Sequence, residues 1–155
     1  MRLRKPSTAS RTRTVFATGA MVATLLGGAI AAAPSAAAAA TPVCTTTTTG
    51  YWSDSPTYSW YPYHKNPNTV SCTLYQGVKS TGVKALQKNL NQCYGKKLQI
   101  DGSFGPATKA ALRDVQSRVG AAVDGVYGPE TRNKMKWGKY HLETGARTGC
   151  YTFNT

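Results

Sequence analysis

The feature that most constrains this chain is an eight-residue pattern written twice: Asp101-Gly102-Ser103-Phe104-Gly105-Pro106-Ala107-Thr108 and Asp124-Gly125-Val126-Tyr127-Gly128-Pro129-Glu130-Thr131. The copies share Asp-Gly-x-aromatic-Gly-Pro-x-Thr, match by residue type at six of eight positions and begin 23 residues apart. Each position carries a physical instruction. An Asp folds back on its own backbone, and Gly102 or Gly125 accepts the φ > 0 that a tight turn requires. Phe104 and Tyr127 then enter the core as anchors. Gly105-Pro106 and Gly128-Pro129 open helices, because proline at the first helical position has no N–H to leave unpaired. Thr108 and Thr131 fall in the first turn, where a hydroxyl can meet a free backbone donor. The unit reads as turn, anchor and helix start, used twice.

The residues around the repeats supply the helices. Val83, Leu86, Leu90 and Tyr94 recur at spacings of three and four, which predicts a helix from about Ser80 that ends near Cys93 with Gly95 as terminator. A second helix is expected over Pro106 to Val119. It would bury Thr108, Ala111, Leu112, Val115 and Val119, leave Lys109, Arg113 and Arg118 in water, and stop at Gly120. A third, from Pro129 to about Lys136, presents Met135 and is followed by Trp137. Residues 138–155 read as irregular and pinned by Cys150. Residues 41–78 show no helical period. Their Thr, Tyr and Trp favour extended structure, but Pro56, Pro62 and Pro67 interrupt any long strand, leaving room for one short hairpin. The expected fold class is mainly α: a small three-helix bundle with a disulfide-closed, irregular N-terminal segment.

Composition places this fold outside the cell. Arg2, Arg4, Lys5, Arg11 and Arg13 form a basic head, Val15 to Ala33 an apolar stretch and Ala36 to Ala40 a small-residue region, the layout of a cleaved secretory signal peptide over residues 1–40. Thr12 separates Arg11 from Arg13, so a twin-arginine signal is not supported, and no membrane association is expected after cleavage. The remaining chain divides into an aromatic and Thr-rich segment, 41–78, and a helical domain with a C-terminal extension, 79–155. It keeps 14 of the 19 basic residues against six acids, a net charge of +8. Such a chain meets polyanions outside the cell, with nothing to select a specific nucleic acid. Its four cysteines, Cys44, Cys72, Cys93 and Cys150, imply two disulfides. Of three pairings, Cys44–Cys72 and Cys93–Cys150 are favoured, each contributing on the order of 3–4 kcal/mol by restricting the unfolded chain.

Gly82 to Trp137 resembles a peptidoglycan-binding domain of the three-helix type found attached to bacterial wall hydrolases. The resemblance is carried by Val83-Lys84-Ala85-Leu86-Gln87 with Leu90-Asn91, by Leu98-Gln99-Ile100-Asp101-Gly102, by both repeats, and by Val115-Gln116 with Gly120 and Val123-Asp124-Gly125. It covers about half of the chain after residue 40. Val115 and Ala121 stand where the family prefers Phe and Leu, which shrinks the core. The resemblance implies a peptidoglycan-binding-like bundle whose ligand is a glycan strand or a stem peptide.

Sugar rings are bound by aromatic faces, and stem carboxylates suit Arg and Lys. Tyr94 and Trp137, at element ends, are candidates to border a groove, and Arg132 and Lys136 lie one turn apart on the expected third helix. The tract Tyr51, Trp52, Tyr58, Trp60, Tyr61, Tyr63 and His64 is either a lid over the helical core or a glycan platform led by Trp60 and Tyr61. No catalytic constellation stands out. His64 and His141 lie in separate segments, whereas a zinc hydrolase needs three ligands. Asp101 and Asp124 serve turns, and Asp54, Asp114, Glu130 and Glu143 form no recognisable pair for glycoside hydrolysis. The expectation is a secreted, non-catalytic wall binder without metal or cofactor. The alternatives are a protein that binds another secreted protein, such as a wall hydrolase, or a cationic binder of anionic wall polymers.

Overall fold

The computed structural model describes residues 40–51 and 55–152. The signal-peptide expectation, and with it Trp52 and Asp54 of the aromatic tract, therefore lies outside the described residues. Three helices occur where the sequence places them. Helix α1 spans Thr81–Tyr94, α2 spans Pro106–Val119 and α3 spans Pro129–Lys134. Ser80 caps α1: its Oγ accepts from Val83 N at 3.2 Å and donates to Cys44 O at 2.9 Å, which ties the helix start to the N-terminal segment. Gly95 and Gly120, both left-handed, end α1 and α2, and Pro106 and Pro129 sit at the first helical positions. Helix α3 is shorter than expected, because Met135 turns to an extended conformation and Lys136 already belongs to a strand.

The mainly α expectation is corrected by a four-stranded antiparallel sheet among the described residues. Strands β1 (Thr46–Tyr51), β2 (Thr57–Tyr63), β3 (Lys136–His141) and β4 (Arg147–Thr152) lie in the order β1-β2-β3-β4. The N-terminal segment is thus a full hairpin, from Thr46 opposite Tyr63 to Tyr51 opposite Tyr58. The prolines are compatible with it because of where they fall. Pro56 precedes β2. Pro62 lies past the short β2–β3 ladder, which consists of Thr57 opposite His141 and Tyr58 opposite Tyr140, so on that side its missing N–H breaks no pairing. The C-terminal extension, expected to be irregular, forms the second hairpin around a turn at Gly145. Both disulfides take the favoured pairing, Cys44–Cys72 and Cys93–Cys150, the latter fastening β4 to the end of α1.

The core gathers Val83, Leu86 and Leu90 of α1, Leu112 and Val115 of α2, both repeat aromatics, Met135 and Trp137. Tyr61 enters from β2 and meets Trp137 edge to face at 5.1 Å, and Trp137 meets Tyr127 in the same way at 6.1 Å. Val115 and Ala121 are both buried. The connection between hairpin and α1 is stitched to the repeats by backbone pairs. Leu74 exchanges bonds with Tyr127 at 2.9 and 2.8 Å, while Phe104 N donates to Val78 O at 2.8 Å.

Candidate functional site

The repeats are built around two buried glutamines. In the first, Gln87 of α1 reaches the turn: its Nε2 lies 2.9 Å from Asp101 Oδ1, 3.0 Å from Ser103 O and 3.3 Å from Thr108 Oγ1, and its Oε1 accepts from Gly102 N at 2.9 Å. Gln116 of α2 repeats the arrangement with Asp124 Oδ1 at 2.8 Å, Val126 O at 2.9 Å, Thr131 Oγ1 at 3.1 Å and Gly125 N at 2.8 Å. Asp101 and Asp124 also accept from Ser103 N and Val126 N, both at 2.8 Å, which closes each turn. Gly102 and Gly125 have φ of 81° and 73°. A Cβ on Gly125 would come within 2.8 Å of Lys109 Cγ, so the position needs glycine for both conformation and space. The expected role of Thr108 and Thr131 is corrected: each hydroxyl meets a glutamine amide from the preceding helix rather than a free backbone donor. The hydrogen bond from Gln87, first among the causes, and the one from Ser103 N hold the Asp101 carboxyl below the usual carboxylate range.

Two other carboxylates, Asp114 and Glu130, are also paired. Asp114 lies 2.5 Å from Lys96 Nζ and 2.8 Å from Arg118 Nε, and Glu130 lies 2.8 Å from Lys134 Nζ. The Lys96 and Lys134 hydrogen bonds respectively lower these two carboxyls. Both His64 ring nitrogens face backbone carbonyls, of Val43 and Asn66. Among the described residues, no three His, Cys, Asp or Glu side chains gather where they could hold a metal.

The candidate binding residues do not form one surface. Trp137 is 1% exposed and Tyr61 4% exposed; both belong to the core, so the groove-edge placement of Trp137 is corrected. Trp137 Nε1 donates to Arg132 O at 3.0 Å. Tyr94 is half-buried, and its hydroxyl accepts from Lys136 N at 2.5 Å. Burial raises the Tyr94 hydroxyl, a shift the Lys136 bond opposes. Lys136 stands on β3, so the one-turn spacing from Arg132 on a helix is also corrected. Arg132 turns Nε and Nη2 to Asn133 Oδ1 at 3.0 and 2.8 Å, while its Nη1 and the Tyr127 hydroxyl are buried without hydrogen-bond partners among the described residues. The aromatic tract is both lid and surface, because a strand alternates its side chains. Tyr61 points into the core, while Trp60 points the other way and is 40% exposed.

Trp60 lines a shallow groove of about 220 Å³ between the N-terminal hairpin and α1. Thr47 and Trp60 come from the hairpin, Thr81, Lys84, Ala85 and Lys88 from α1, and Ile100 from the segment that leads into the first repeat. The face is continuous with Tyr58, which meets Trp60 edge to face at 5.9 Å, and with Tyr140, stacked on Tyr58 at 5.6 Å. Lys88 Nζ sits 5.0 Å over the Tyr140 ring. Neither Lys84 nor Lys88 has a carboxylate partner among the described residues. The sequence singles out Trp60 but misses Lys84, Lys88 and Ile100. The i, i+4 lysines on the exposed flank of α1 are the signal that could have found them.

Three curated proteins match part of the chain. A zinc D-Ala-D-Ala carboxypeptidase from Streptomyces albus G is 46% identical over 69 residues, covering 43% of this chain and 27% of the relative. An N-acetylmuramoyl-L-alanine amidase from Bacillus licheniformis is 37% identical over 65 residues, covering 38% and 18%. An autolytic lysozyme from Clostridium acetobutylicum is 45% identical over 49 residues, covering 32% and 15%. The chain spans less than a third of each relative's length. The segment that carries both glutamine-centred repeats, residues 79–135, matches the family described as "Putative peptidoglycan binding domain".

Proposed function

We propose that this protein is a secreted, non-catalytic binder of bacterial cell-wall peptidoglycan, held at the wall by the helical unit and its flanking hairpins. The observation that carries the reading is what the relatives share and what they do not. By their names, one is a carboxypeptidase, one an amidase and one a lysozyme, which cut a peptide bond, an amide and a glycosidic bond. A match to proteins named for three different bond chemistries favours a role they share over any one of those reactions. The polar groups of the repeats support the same reading, since the glutamines, Asp101 and Asp124 are committed to holding turns. The net charge of +8 on residues 41–155 favours retention by an anionic wall.

The test is co-sedimentation of the oxidised protein with sacculi stripped of teichoic acids, at low and moderate salt, with the supernatant assayed for released fragments. Salt-resistant pelleting without fragment release is expected. Failure of the folded protein to pellet would sink the reading. Pelleting lost at moderate salt would assign binding to polyelectrolyte attraction, and soluble fragments would make the protein an enzyme.

A further inference from the structure

The groove between β2 and α1 joins three features that are not required together by the packing of the core. One is an aromatic ring left 40% exposed on a face opposite the core. The second is an apolar floor, Ala85, with Ile100 beside it at 46% exposure. The third is a pair of lysines one helical turn apart with no carboxylate partner among the described residues. Lys84 is held low by packing of its stem over Gly102, where a Cβ would meet Lys84 Cγ at 3.0 Å, and Lys88 is held by the Tyr140 ring. The hydroxyl-bearing residues Thr47 and Thr81 also line the groove.

The geometry points to a composite saccharide site in this groove, taking a sugar ring that carries a short acidic stem: the C–H face of the ring on Trp60, and a stem carboxylate at Lys84 and Lys88. This rests on the wall-binding reading above and gives it a place and a chemistry. Charge selects the occupant. Two uncompensated cations beside an aromatic wall disfavour a basic or purely apolar ligand, and a neutral sugar would leave them unused. Size selects the mode. The groove is below the roughly 300–1,000 Å³ of enclosed ligand pockets, and its open form suits contact with one unit of a polymer that continues past both ends. Thr47 and Trp60 precede the family-matched residues 79–135, so the site exists only because the N-terminal hairpin is fastened against α1.

The test titrates the oxidised full chain with a soluble disaccharide–tripeptide fragment of peptidoglycan, with neutral chitobiose and with the free tripeptide. Binding is followed by NMR at the backbone amides of Lys84, Ala85 and Lys88, which line the groove and are retained in every variant. The fragment is expected to bind about tenfold more tightly than chitobiose, the size of one charge-assisted hydrogen bond. Lys84→Gln with Lys88→Gln should erase that preference and leave chitobiose binding in place. Trp60→Ala should abolish both at an unchanged melting temperature. Ile100→Glu, an exposed position where a carboxylate repels the stem, keeps the test decisive if Trp60→Ala fails to fold. Wild-type affinity for the fragment in Ile100→Glu and in the double lysine variant would overturn the groove while sacculus pelleting still upheld wall binding. Loss of pelleting by the wild-type protein would instead bring down the wall-binding reading itself. Binding of a glycerol-phosphate polymer in preference to the fragment would overturn the assignment in favour of a polyanion.

Discussion

Replacing Gln116 by Ala removes the centre of the second repeat. The side chain is fully buried and makes four polar contacts, three from Nε2 and one to Oε1. Its loss strands the buried Gly125 N–H and the part-buried Val126 C=O. Each orphaned buried group costs about 1–3 kcal/mol, and the better helix propensity of Ala returns only about 0.4 kcal/mol. A net loss of about 3–4 kcal/mol is expected. At about 4 °C per kcal/mol for a domain of this size, the melting temperature falls by about 12–16 °C. The assay is equilibrium unfolding of the oxidised protein in guanidinium, followed by tryptophan fluorescence and repeated by circular dichroism to check that one transition is seen. Gln116→Met is the control, because it retains most of the volume while removing all four contacts. It should lose nearly as much as the Ala variant. A Met variant within about 0.5 kcal/mol of wild type would refute the argument, since packing volume rather than hydrogen bonding would then hold the repeat.

Other perturbations test other parts of the structure. Tyr127→Phe removes a buried hydroxyl that has no hydrogen-bond partner among the described residues, and the first repeat already has Phe104 at the matching position; stability at neutral pH should stay level or rise by about 1 kcal/mol. The Asp101 carboxyl is lowered in the fold from its ordinary value of 3.8. Its contribution is therefore present above that value and lost as pH falls through the folded one. Asp101→Asn should flatten part of the stability loss between pH 5 and pH 2, measured by urea midpoints across that range, with Asp114 and Glu130 supplying the remaining slope. Removing the Cys93–Cys150 bridge, which spans 57 residues, should cost about 4 kcal/mol, and removing Cys44–Cys72, which spans 28, about 3.5 kcal/mol. Serine pairs at each site, compared by denaturant midpoint, check the order.

Helices α1 and α2 are legible from sequence because their apolar stripes and glycine stops agree with each other and with the proline starts. What stays hidden has particular causes. Gln87 and Gln116 follow Leu86 and Val115 on the buried stripe, and a polar side chain there reads as solvent-facing until its partners, 14 and 8 residues downstream, are brought to it. The strands are masked by prolines whose harm depends on which neighbour they face, a fact of topology rather than of local sequence. Trp137 looks like an element end because it follows α3 at once. Only the pairing of β3 with β2 and β4 turns that end into the middle of the molecule. The groove around Trp60 is hardest to foresee, because its two walls come from segments that no periodicity connects.

The pairing of β2 with β3 has a consequence for the order of events as the chain folds. Thr57 and Tyr58 meet His141 and Tyr140 across more than 80 residues, so the loop entropy of the whole helical unit opposes this contact until that unit is compact. A chain appearing amino terminus first presents the outer edge of β2 with its neighbouring strand still to come. For that interval the row of unpaired backbone groups is open to any other extended segment. The helical repeats complete themselves from nearby residues, whereas the sheet has to wait for the end of the chain.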